Sequence, residues 1–433
     1  MTQGIVAASD PELASFYRAG WNAPAEIADG VRAILADVRA RGDAALAEYA
    51  RRWDDPAFDL RALRVAIPME EQARSLVPRD VAWALALARE RVTRFHERQR
   101  RAEISYEDPD GTHYAFVTRP LDAIAAYVPA GSAPLPSTAV MTIVPAKIAG
   151  VSRVVVLTPP QRNGRVDPSV LYVCSLCGAD ELYAVGGAHA IAAAAYGTAS
   201  IAPVDKIVGP GNTWVTEAKR QVYGVCAIDG LAGPSEVLVV ADDATNSEYA
   251  AAELLAQAEH DPAARVAVVS ESRECLERIA SALDAQDLRA LARGEIVAEV
   301  IERRCRLIHA ASFEQLCEAI ERFAPEHLSL QTRDPARILA RVRHAGAVFV
   351  GPETPVACGD YLAGTNHVLP TSGSARFASG LSLSDFTRTF SVVENSAERM
   401  RKDAPLLAAL AEFEGLEQHA RTALLRVRDD VSG

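Results

Sequence analysis

Apolar positions in the first hundred residues of the chain recur at the spacing of an amphipathic helix. Residues 24–50 carry one such pattern, and residues 80–101, which are rich in Ala, Arg and Glu, carry another. Side chains three and four positions apart share one face of a helix, so each stretch is predicted to pack that face against a core. The apolar residues that define the first helix are Ile27, Val31, Ile34, Leu35 and Val38.

From about residue 120, short apolar runs alternate with helical stretches. VVVLTPP (154–160) and KIVGPGN (206–212) have the length and composition of buried parallel strands, and EVLVVADDATN (236–246) begins a second series. This rhythm predicts parallel sheets covered by helices on both faces, in two α/β domains. After about residue 380 it fades into a charged tail rich in Ala and Leu. The other predicted strands are 265–270, 306–310 and 347–351.

Composition and charge argue against several classes of protein. The 433 residues are too many for one ordinary core. The formal net charge of −12, with acids and bases interspersed, argues against a nucleic-acid-binding protein. No apolar run reaches the roughly 18 uncharged residues of a membrane span, and the first residues lack the pattern of a secretion signal. We therefore expect a cytoplasmic protein that binds neither nucleic acid nor membrane.

The cysteines support the same location. Seven cysteines, an odd number in a large chain, do not form a disulfide framework, so we expect a reducing compartment. Cys174 and Cys177 form a CxxC pair late in a segment that resembles a helix, just before a glycine. A zinc ribbon would need a second such pair, and the sequence has none. We predict two buried structural cysteines.

Two glycine-rich turns follow predicted strands and begin helices. GPGN (209–212) and GGAHAIAA (186–193) would present backbone N–H groups and a helix dipole to a phosphate. Neither is the GxGxxG fingerprint, but two such turns side by side favour a ligand crevice at the ends of the strands. His189 would lie near the start of the second helix, where a solvated surface histidine is the alternative interpretation.

Residues that could bind a metal occur at separate places in the chain. Gln257 and His260 lie three apart at the end of an apolar helix, where polar residues can also simply mark the return to water. Asp360 belongs to a polar, glycine-rich segment, and His419 to a tail whose simpler interpretation is a charged helix face. A zinc-like site needs about three or four N, O or S ligands. These four could supply them, although local spacing does not show that they meet.

Two further stretches could carry catalysis. CGDYLAGTNHVLPTSGSARF (358–377) is too glycine-rich for a helix and too apolar for a disordered linker, which favours a structured functional loop. Its Asp360 and His367 could be metal ligands or hydrogen-bonding groups. Glu326 and His327, in APEHLSL, offer two bases of different strength at one point, although an exposed loop pair is the usual case.

Seven long motifs occur along the chain: YVPAGSAPLPST (127–138), GPGN with VTEAKRQV (209–222), IDGLAGPSEVLVVAD (228–242), LLAQAEH (254–260), APEHL (324–328), GDYLAGTNHVLPTSGSARFASGLS (359–382) and EGLEQHA (414–420). Together these motifs resemble the histidinol dehydrogenase family, in the family's order, from about residue 25 to the end. The resemblance implies oxidation of L-histidinol to L-histidine through L-histidinaldehyde, with two NAD+ per turnover, in histidine biosynthesis. It also implies one Zn2+ per subunit and a homodimer with shared active sites.

The resemblance implies a role for individual residues. The metal ligands would be Gln257, His260, Asp360 and His419, and the catalytic pair Glu326 and His327. The substrate contacts would be those four ligands and His327, together with Ser235, Tyr361, His367 and Glu414. The cofactor side would include Tyr127, His189 and Asn212. In the family the tail crosses to the partner subunit, so Glu414 and His419 would complete the neighbouring site.

The same resemblance implies a mechanism. Zinc would hold the imidazole and amino nitrogens of the substrate and fix its alcohol carbon against the nicotinamide. His327 would take the hydroxyl proton as hydride leaves, because imidazole has a suitable basicity. Glu326 would activate water to hydrate the aldehyde, and a second hydride transfer would then give the acid. As an uncharged ligand, Gln257 would leave the metal more acidic than a carboxylate would.

Two positions depart from the usual family pattern. YVPGG reads YVPAG, with Ala130 in place of a glycine, and GGAQAIAA reads GGAHAIAA, with His189 in place of a cofactor-contacting glutamine. Histidine can still donate one hydrogen bond, so we expect NAD+ binding to survive. Family relatives that oxidise other small alcohols tend to change the residues at Tyr361 and Ser235. Both are retained here, which favours histidinol.

The predicted fold consists of two Rossmann-like parallel-sheet domains, a helical N-terminal segment and a C-terminal tail that packs on the partner subunit. Residues 1–22 would form an N-terminal arm. Residues 23–126 and 236–380 would form a discontinuous first domain with the metal and catalytic residues. Residues 127–235 would form the second domain on the NAD side, and residues 381–433 the dimerisation tail.

Three alternatives stay open on the residues alone. A family paralogue could oxidise another amino alcohol or diol with NAD, as His189 and Ala130 would allow. A zinc hydrolase could use the metal with a Glu and a His to activate water, although the glycine-rich turns argue for a dinucleotide. A non-catalytic binding protein with two α/β lobes would need no metal.

Overall fold

The computed structural model describes residues 4–17, 20–130, 134–161 and 163–427. The chain divides into two compact units. The first contains residues 1–99 and 121–386, and the second contains residues 100–120 and 387–433. The strands, in chain order, are β1 (Ile5–Ala7), β2 (Ile104–Glu107), β3 (His113–Pro120), β4 (Ala123–Tyr127), β5 (Arg153–Thr158), β6 (Glu181–Ala184), β7 (Lys206–Val208), β8 (Ala227–Ile228), β9 (Glu236–Ala241), β10 (Arg265–Ser270), β11 (Cys305–His309), β12 (His327–Gln331), β13 (Ala347–Val350) and β14 (Thr387–Glu394).

Helices connect most of these strands. In chain order they are α1 (Leu13–Tyr17), α2 (Ala25–Arg41), α3 (Asp43–Trp53), α4 (Glu70–Arg74), α5 (Arg79–Glu97), α6 (Pro136–Ala149), α7 (Pro168–Cys177), α8 (Gly187–Tyr196), α9 (Thr213–Val222), α10 (Ser247–Ala258), α11 (Arg273–Asp284), α12 (Gly294–Arg304), α13 (Phe313–Phe323), α14 (Pro335–Leu339), α15 (Val356–Tyr361), α16 (Ala397–Phe413) and α17 (Glu417–Leu425). Among the described residues, no helix is long and apolar enough to cross a membrane.

The first unit contains two parallel sheets. One has six strands in the order β1-β11-β10-β9-β12-β13, and the other has five in the order β6-β5-β4-β7-β8. Both central strands, β9 and β4, are buried along their whole length. Parallel strands of this kind need helices on both faces, as the alternating apolar runs predicted. The α/β fold prediction is therefore confirmed.

Successive side chains of each strand enter cores on opposite faces of the sheet. On the six-stranded sheet, helices α10, α11 and α12 cover one face, and α1, α13 and α14 cover the other. On the five-stranded sheet, α2, α3, α8 and α9 cover one face, and α5, α6 and α7 cover the other. Both sheets belong to one compact unit, so the boundaries between two α/β domains stay a prediction.

The predicted helix of residues 24–50 is two helices in the structure. Gly42 has a φ of 57°, which is left-handed, and it ends α2 and precedes α3. The second predicted helix is confirmed as α5. Cys174 and Cys177 are buried in the last turns of α7, before the left-handed Gly178, so the structural interpretation of the CxxC pair is confirmed.

The second unit was only partly anticipated. Its antiparallel sheet, in the order β14-β3-β2, joins a hairpin from residues 104–120 to a strand of the tail. Helices α16 and α17 complete the unit. The local sequence pattern predicts a charged tail here but no sheet, because the partner strands lie far apart in the chain.

Candidate active site

The candidate active site lies where β9 and β12 begin, next to the last turn of α10. His327 is the first residue of β12, and its ring is buried. Its Nδ1 lies 2.9 Å from the carbonyl oxygen of Glu236, the first residue of β9. A carbonyl oxygen can only accept a hydrogen bond, so Nδ1 carries the proton and Nε2 presents a lone pair. That Nε2 lies 3.8 Å from Asp360 Oδ1.

Burial keeps the His327 ring neutral. Burial is the main cause that lowers the pKa of His327 to about 4; the contact with the Glu236 carbonyl opposes this shift, and the charges of His260 and His367 add to it. The amide nitrogen of Gln257 lies 3.2 Å from Nδ1. The Nδ1–H already donates to the Glu236 carbonyl, so Nδ1 has no lone pair to accept a hydrogen bond from the amide. The Gln257 amide therefore lies beside the ring without donating a hydrogen bond to it.

Glu326 is a buried acid next to this ring. Its Oε2 accepts a hydrogen bond of 2.9 Å from the backbone N–H of Glu236 and lies 3.5 Å from His327 Nδ1. Burial raises the pKa of Glu326 well above its ordinary value, and the carboxylates of Glu236 and Asp360 raise it further. The exposed-loop interpretation of Glu326 and His327 is wrong, because both side chains pack inside the first unit.

Asp360 and His367 come from the polar segment 358–377. The prediction that no part of it is helical is wrong for its first residues, because α15 extends to Tyr361. Gly359 allows α15 to pack closely against Phe349, since a Cβ at this position would lie 2.6 Å from the ring. His367 Nδ1 lies 2.9 Å from the backbone carbonyl of Asp360, which fixes the ring against α15.

The donor set near His327 fits a zinc ion. Gln257 Oε1 is buried and has no hydrogen-bond partner, which is costly unless a ligand supplies one. Burial raises the pKa of Asp360 to about 6, which is still below neutral pH, and lowers that of His260. At neutral pH zinc would therefore meet an ionised carboxylate and a neutral imidazole, the forms that bind metal. His260 follows the last turn of α10, and its backbone N–H donates to the carbonyl oxygen of Gln257. Over the described ranges, no group of three or more His, Cys, Asp or Glu could hold a metal, so the ligand set stays a prediction.

The predicted cofactor residues lie at the ends of strands in the five-stranded sheet. The Tyr127 hydroxyl accepts a hydrogen bond from the backbone N–H of Gly187, and burial raises the pKa of Tyr127 to about 12. Its own hydrogen therefore stays available to a ligand. Asn212 Oδ1 caps α9 by accepting from the backbone N–H of Val215.

His189 is buried, so the surface interpretation of this histidine is wrong. Its Nε2 lies 2.9 Å from Asp54 Oδ2, which also accepts a hydrogen bond from the backbone N–H of Gly186. His189 Nδ1 is buried and unpartnered. The turn at 186–187 thus offers hydroxyl and imidazole groups beside a carboxylate. That set suits the hydroxyl and amide groups of a dinucleotide better than its phosphates.

Comparison with known proteins supports the resemblance. The family model described as histidinol dehydrogenase matches residues 19–427. The chain belongs to the histidinol dehydrogenase family. The histidinol dehydrogenase of Rhodospirillum rubrum is 44% identical over 96% of each chain, and that of Mesorhizobium japonicum is 43% identical over 96% of this chain and 97% of its own.

The fold of this histidinol dehydrogenase family member also agrees with a solved structure. The crystal structure of histidinol dehydrogenase from Elizabethkingia anophelis matches with a TM-score of 0.92 at 32% identity, over 99% of this chain and 98% of that chain. The chain is thus an oxidoreductase. The alternatives of a zinc hydrolase and of a non-catalytic binding protein are set aside.

The structure brings together only part of the predicted site. Direct contacts link His327 to Gln257, Glu326 and Asp360, and Asp360 to His367. Ser235 immediately precedes β9, and Tyr361 is exposed at the end of α15. Glu414 and His419 belong to the second unit. Part of the motif at 127–138, residues 131–133, lies outside the described residues.

Two residues of this family member's site were not predicted from the sequence. Glu236 contacts both candidate catalytic residues through its backbone, and Asp54 contacts His189. The signal for Glu236 was an acid at the start of the apolar run EVLVVA. Asp54 had no signal, because only the fold brings it to the 186–187 turn.

Proposed function

We propose that this enzyme oxidises L-histidinol to L-histidine through L-histidinaldehyde, a four-electron reaction that uses two NAD+ in histidine biosynthesis. One observation carries the proposal. A neutral imidazole, His327, presents its Nε2 lone pair toward Asp360, beside the unpartnered amide oxygen of Gln257. This geometry places a proton acceptor next to groups that suit a metal.

Zinc, one ion per subunit, would be held by Gln257, His260, Asp360 and His419 of the partner subunit. When bound, it would orient the substrate nitrogens and lower the pKa of the alcohol. Glu414 of the partner subunit would contact the substrate together with Ser235, Tyr361 and His367. The protein would therefore act as a homodimer with shared active sites.

Two acid–base roles follow from the local environments. His327 would accept the hydroxyl proton on Nε2. Its pKa of about 4 keeps the ring neutral and its lone pair free at physiological pH, but makes it a weaker base than the ordinary imidazole expected from the sequence. Glu326 would accept a proton from the water that hydrates the aldehyde. Its raised pKa makes it a stronger base than an ordinary carboxylate once it is ionised.

NAD+ would bind on the side of Tyr127, His189 and Asn212. The free hydrogen of Tyr127 and the unpartnered Nδ1 of His189 support this location. The tail that supplies His419 would carry the dimer contacts. The seven cysteines, all free, agree with a reducing cytoplasmic location, which we also propose.

A second candidate is a family paralogue that oxidises another small amino alcohol or diol with NAD. The observation that favours it is the buried pair of His189 and Asp54 at a turn assigned to the cofactor side. It predicts the same chemistry on a different substrate.

The deciding experiment mixes zinc-loaded protein with L-histidinol and NAD+ and counts NADH formed per substrate consumed. Two NADH with L-histidine as product are expected. In Glu326→Gln we expect the yield to move toward one NADH, with aldehyde accumulating, because hydration loses its base. No NADH from a folded, metal-bound wild-type protein would refute histidinol as substrate, and a panel of amino alcohols and diols would then test the paralogue.

A further inference from the structure

One residue, Glu236, touches both candidate catalytic residues through its own peptide groups. Its N–H donates to Glu326 Oε2 at 2.9 Å, and its carbonyl oxygen lies 2.9 Å from the protonated Nδ1 of His327. The carbonyl contact fixes the His327 tautomer, and the N–H contact fixes the carboxyl of Glu326. The position of the Glu236 backbone therefore decides where both proton acceptors point.

The Glu236 side chain is fixed by three hydrogen bonds to one of its carboxyl oxygens. Its Oε1 accepts hydrogen bonds from Arg265 Nε at 3.1 Å, from Arg265 Nη2, and from the backbone N–H of Ser372 at 2.9 Å. Ser372 has a left-handed φ of 55°, which costs energy for a residue with a Cβ. Such a conformation persists only where surrounding contacts stabilise it, and the hydrogen bond from Ser372 to Glu236 is one of those contacts.

Arg265 is closed off from water by aromatic rings. Its Nη1 donates to the backbone carbonyl of Phe16, and its guanidinium lies 5.7 Å from the Phe16 ring centre and 5.0 Å from that of Phe323. Arg265 and Glu236 are 8% and 1% exposed. Desolvation makes a buried pair of this kind roughly neutral for stability compared with apolar residues. Stability alone is therefore a weak reason for it.

We infer that the Glu236–Arg265 ion pair is a positioning device, which holds the first peptide of β9 so that His327 keeps its Nδ1–H tautomer and Glu326 keeps its place. This inference rests on the proposed function, because it assigns the proton transfers to Glu326 and His327. It makes Glu236 and Arg265 positioning residues, since their side chains bond to each other, to Phe16 and to Ser372 and not to the Glu326 carboxyl or the His327 ring.

The test is Glu236→Gln in the zinc-loaded full-length enzyme. The substitution keeps the size of the side chain and one acceptor but removes the charge that binds the guanidinium. We expect kcat to fall at least about tenfold, with KM for the alcohol and for NAD+ within about threefold, because small misplacements of reacting groups slow chemistry more than binding. Arg265→Met should act likewise, and the double variant should lose no more than the larger single loss.

The chain offers a matched control. Arg153 and Glu181 are also an Arg–Glu pair at the first residues of adjacent parallel strands, with Arg153 Nε 3.2 Å from Glu181 Oε1, but they lie on the five-stranded sheet. Glu181→Gln should leave kcat within about twofold of the wild type. Equal losses in Glu181→Gln and Glu236→Gln would mean a general loss of stability and would overturn the inference.

A second readout does not depend on turnover. The 15N shifts of the His327 ring, assigned by comparison with His327→Asn, should report the Nδ1–H tautomer in the wild type and a mixture in Glu236→Gln. An unchanged kcat and an unchanged tautomer in the folded Glu236→Gln protein would refute the inference. So would a failure of both Glu236→Gln and Arg265→Met to fold, since the pair would then be a stability element.

Failure of the proposed function is distinguishable from failure of this inference. If the wild type does not oxidise L-histidinol, the proposed substrate is wrong, and the same variants are compared on the alcohol that it does oxidise. If no alcohol is oxidised, the tautomer measurement alone decides the positioning role.

Discussion

Replacing Glu253 with glutamine should make the stability of this enzyme less sensitive to pH. Glu253 lies on α10 and is 6% exposed. Both its carboxyl oxygens lie 3.2 Å from the backbone N–H of Val356, the first residue of α15. Burial raises the pKa of Glu253 from 4.5 to about 7, and the Asp360 carboxylate adds to the shift. The hydrogen bond from Val356 opposes the shift but does not cancel it.

The magnitude follows from linkage between ionisation and folding. A pKa raised in the folded state means that stability is fully present below the unfolded pKa of 4.5 and is lost as pH rises through about 7. At about 1.4 kcal/mol per pKa unit, the loss from this group amounts to about 3 kcal/mol. Glutamine does not ionise, so the variant should lack this part of the decline.

The assay is urea unfolding of zinc-free protein at about pH 5 and about pH 8, at one protein concentration. The free energy of unfolding of Glu253→Gln relative to the wild type should rise by about 2.5 kcal/mol between the two pH values, because a small part of the full loss has already occurred at pH 5. A constant offset from the buried amide cancels in that difference. The control is Glu302→Gln, which removes an exposed acid on α12 and should show almost no change with pH.

A relative stability that does not change with pH would refute the reasoning, because Glu253 would then ionise alike in the folded and unfolded chains. A change of opposite sign would mean that its charge stabilises the start of α15 by more than burial costs.

Three further predictions concern two glycines, a buried ion pair and the metal. Gly209→Ala should lower the thermal midpoint far more than Gly224→Ala. Both glycines have a left-handed φ, but only at residue 209 would a Cβ lie 2.3 Å from the Tyr127 carbonyl oxygen. Equal shifts in the two variants would contradict this. Asp229→Asn should cost about 3–5 kcal/mol in urea unfolding, since it leaves the buried Lys219 without its counter-ion; a cost below about 1 kcal/mol, as for a surface pair, would contradict it. Chelating zinc should lower the midpoint in proportion to the logarithm of metal concentration; an unchanged midpoint would argue against zinc binding.

Much of the core architecture follows from local patterns. The strands at 153–158, 236–241 and 265–270 were predictable because continuous apolar runs of strand length suit only a sheet buried on both faces. The turns at 186 and 209 were predictable because glycines there lie between a strand and a helix. By contrast, Gly42 divides a helical pattern that periodicity alone reads as continuous.

The antiparallel sheet of the second unit shows a different limit. Strand β14 pairs with β3 along its whole length, although more than 250 residues separate them. Neither segment has a strongly apolar face that would predict a strand from the sequence, and β14 is mostly exposed. Pairing between distant segments depends on which partner the rest of the fold makes available.

The sequence by itself determined the family, the α/β class, and the kinds of residue available for chemistry. These are written in local periodicity and in long motifs such as AQAEH and APEHL. Only the tertiary structure decided that Glu236 joins Glu326 to His327, that His189 is buried against Asp54, and that Gln257 keeps an unpartnered oxygen. Burial and hydrogen bonding between residues far apart in the chain set tautomers and pKa values, and no local pattern encodes those distances.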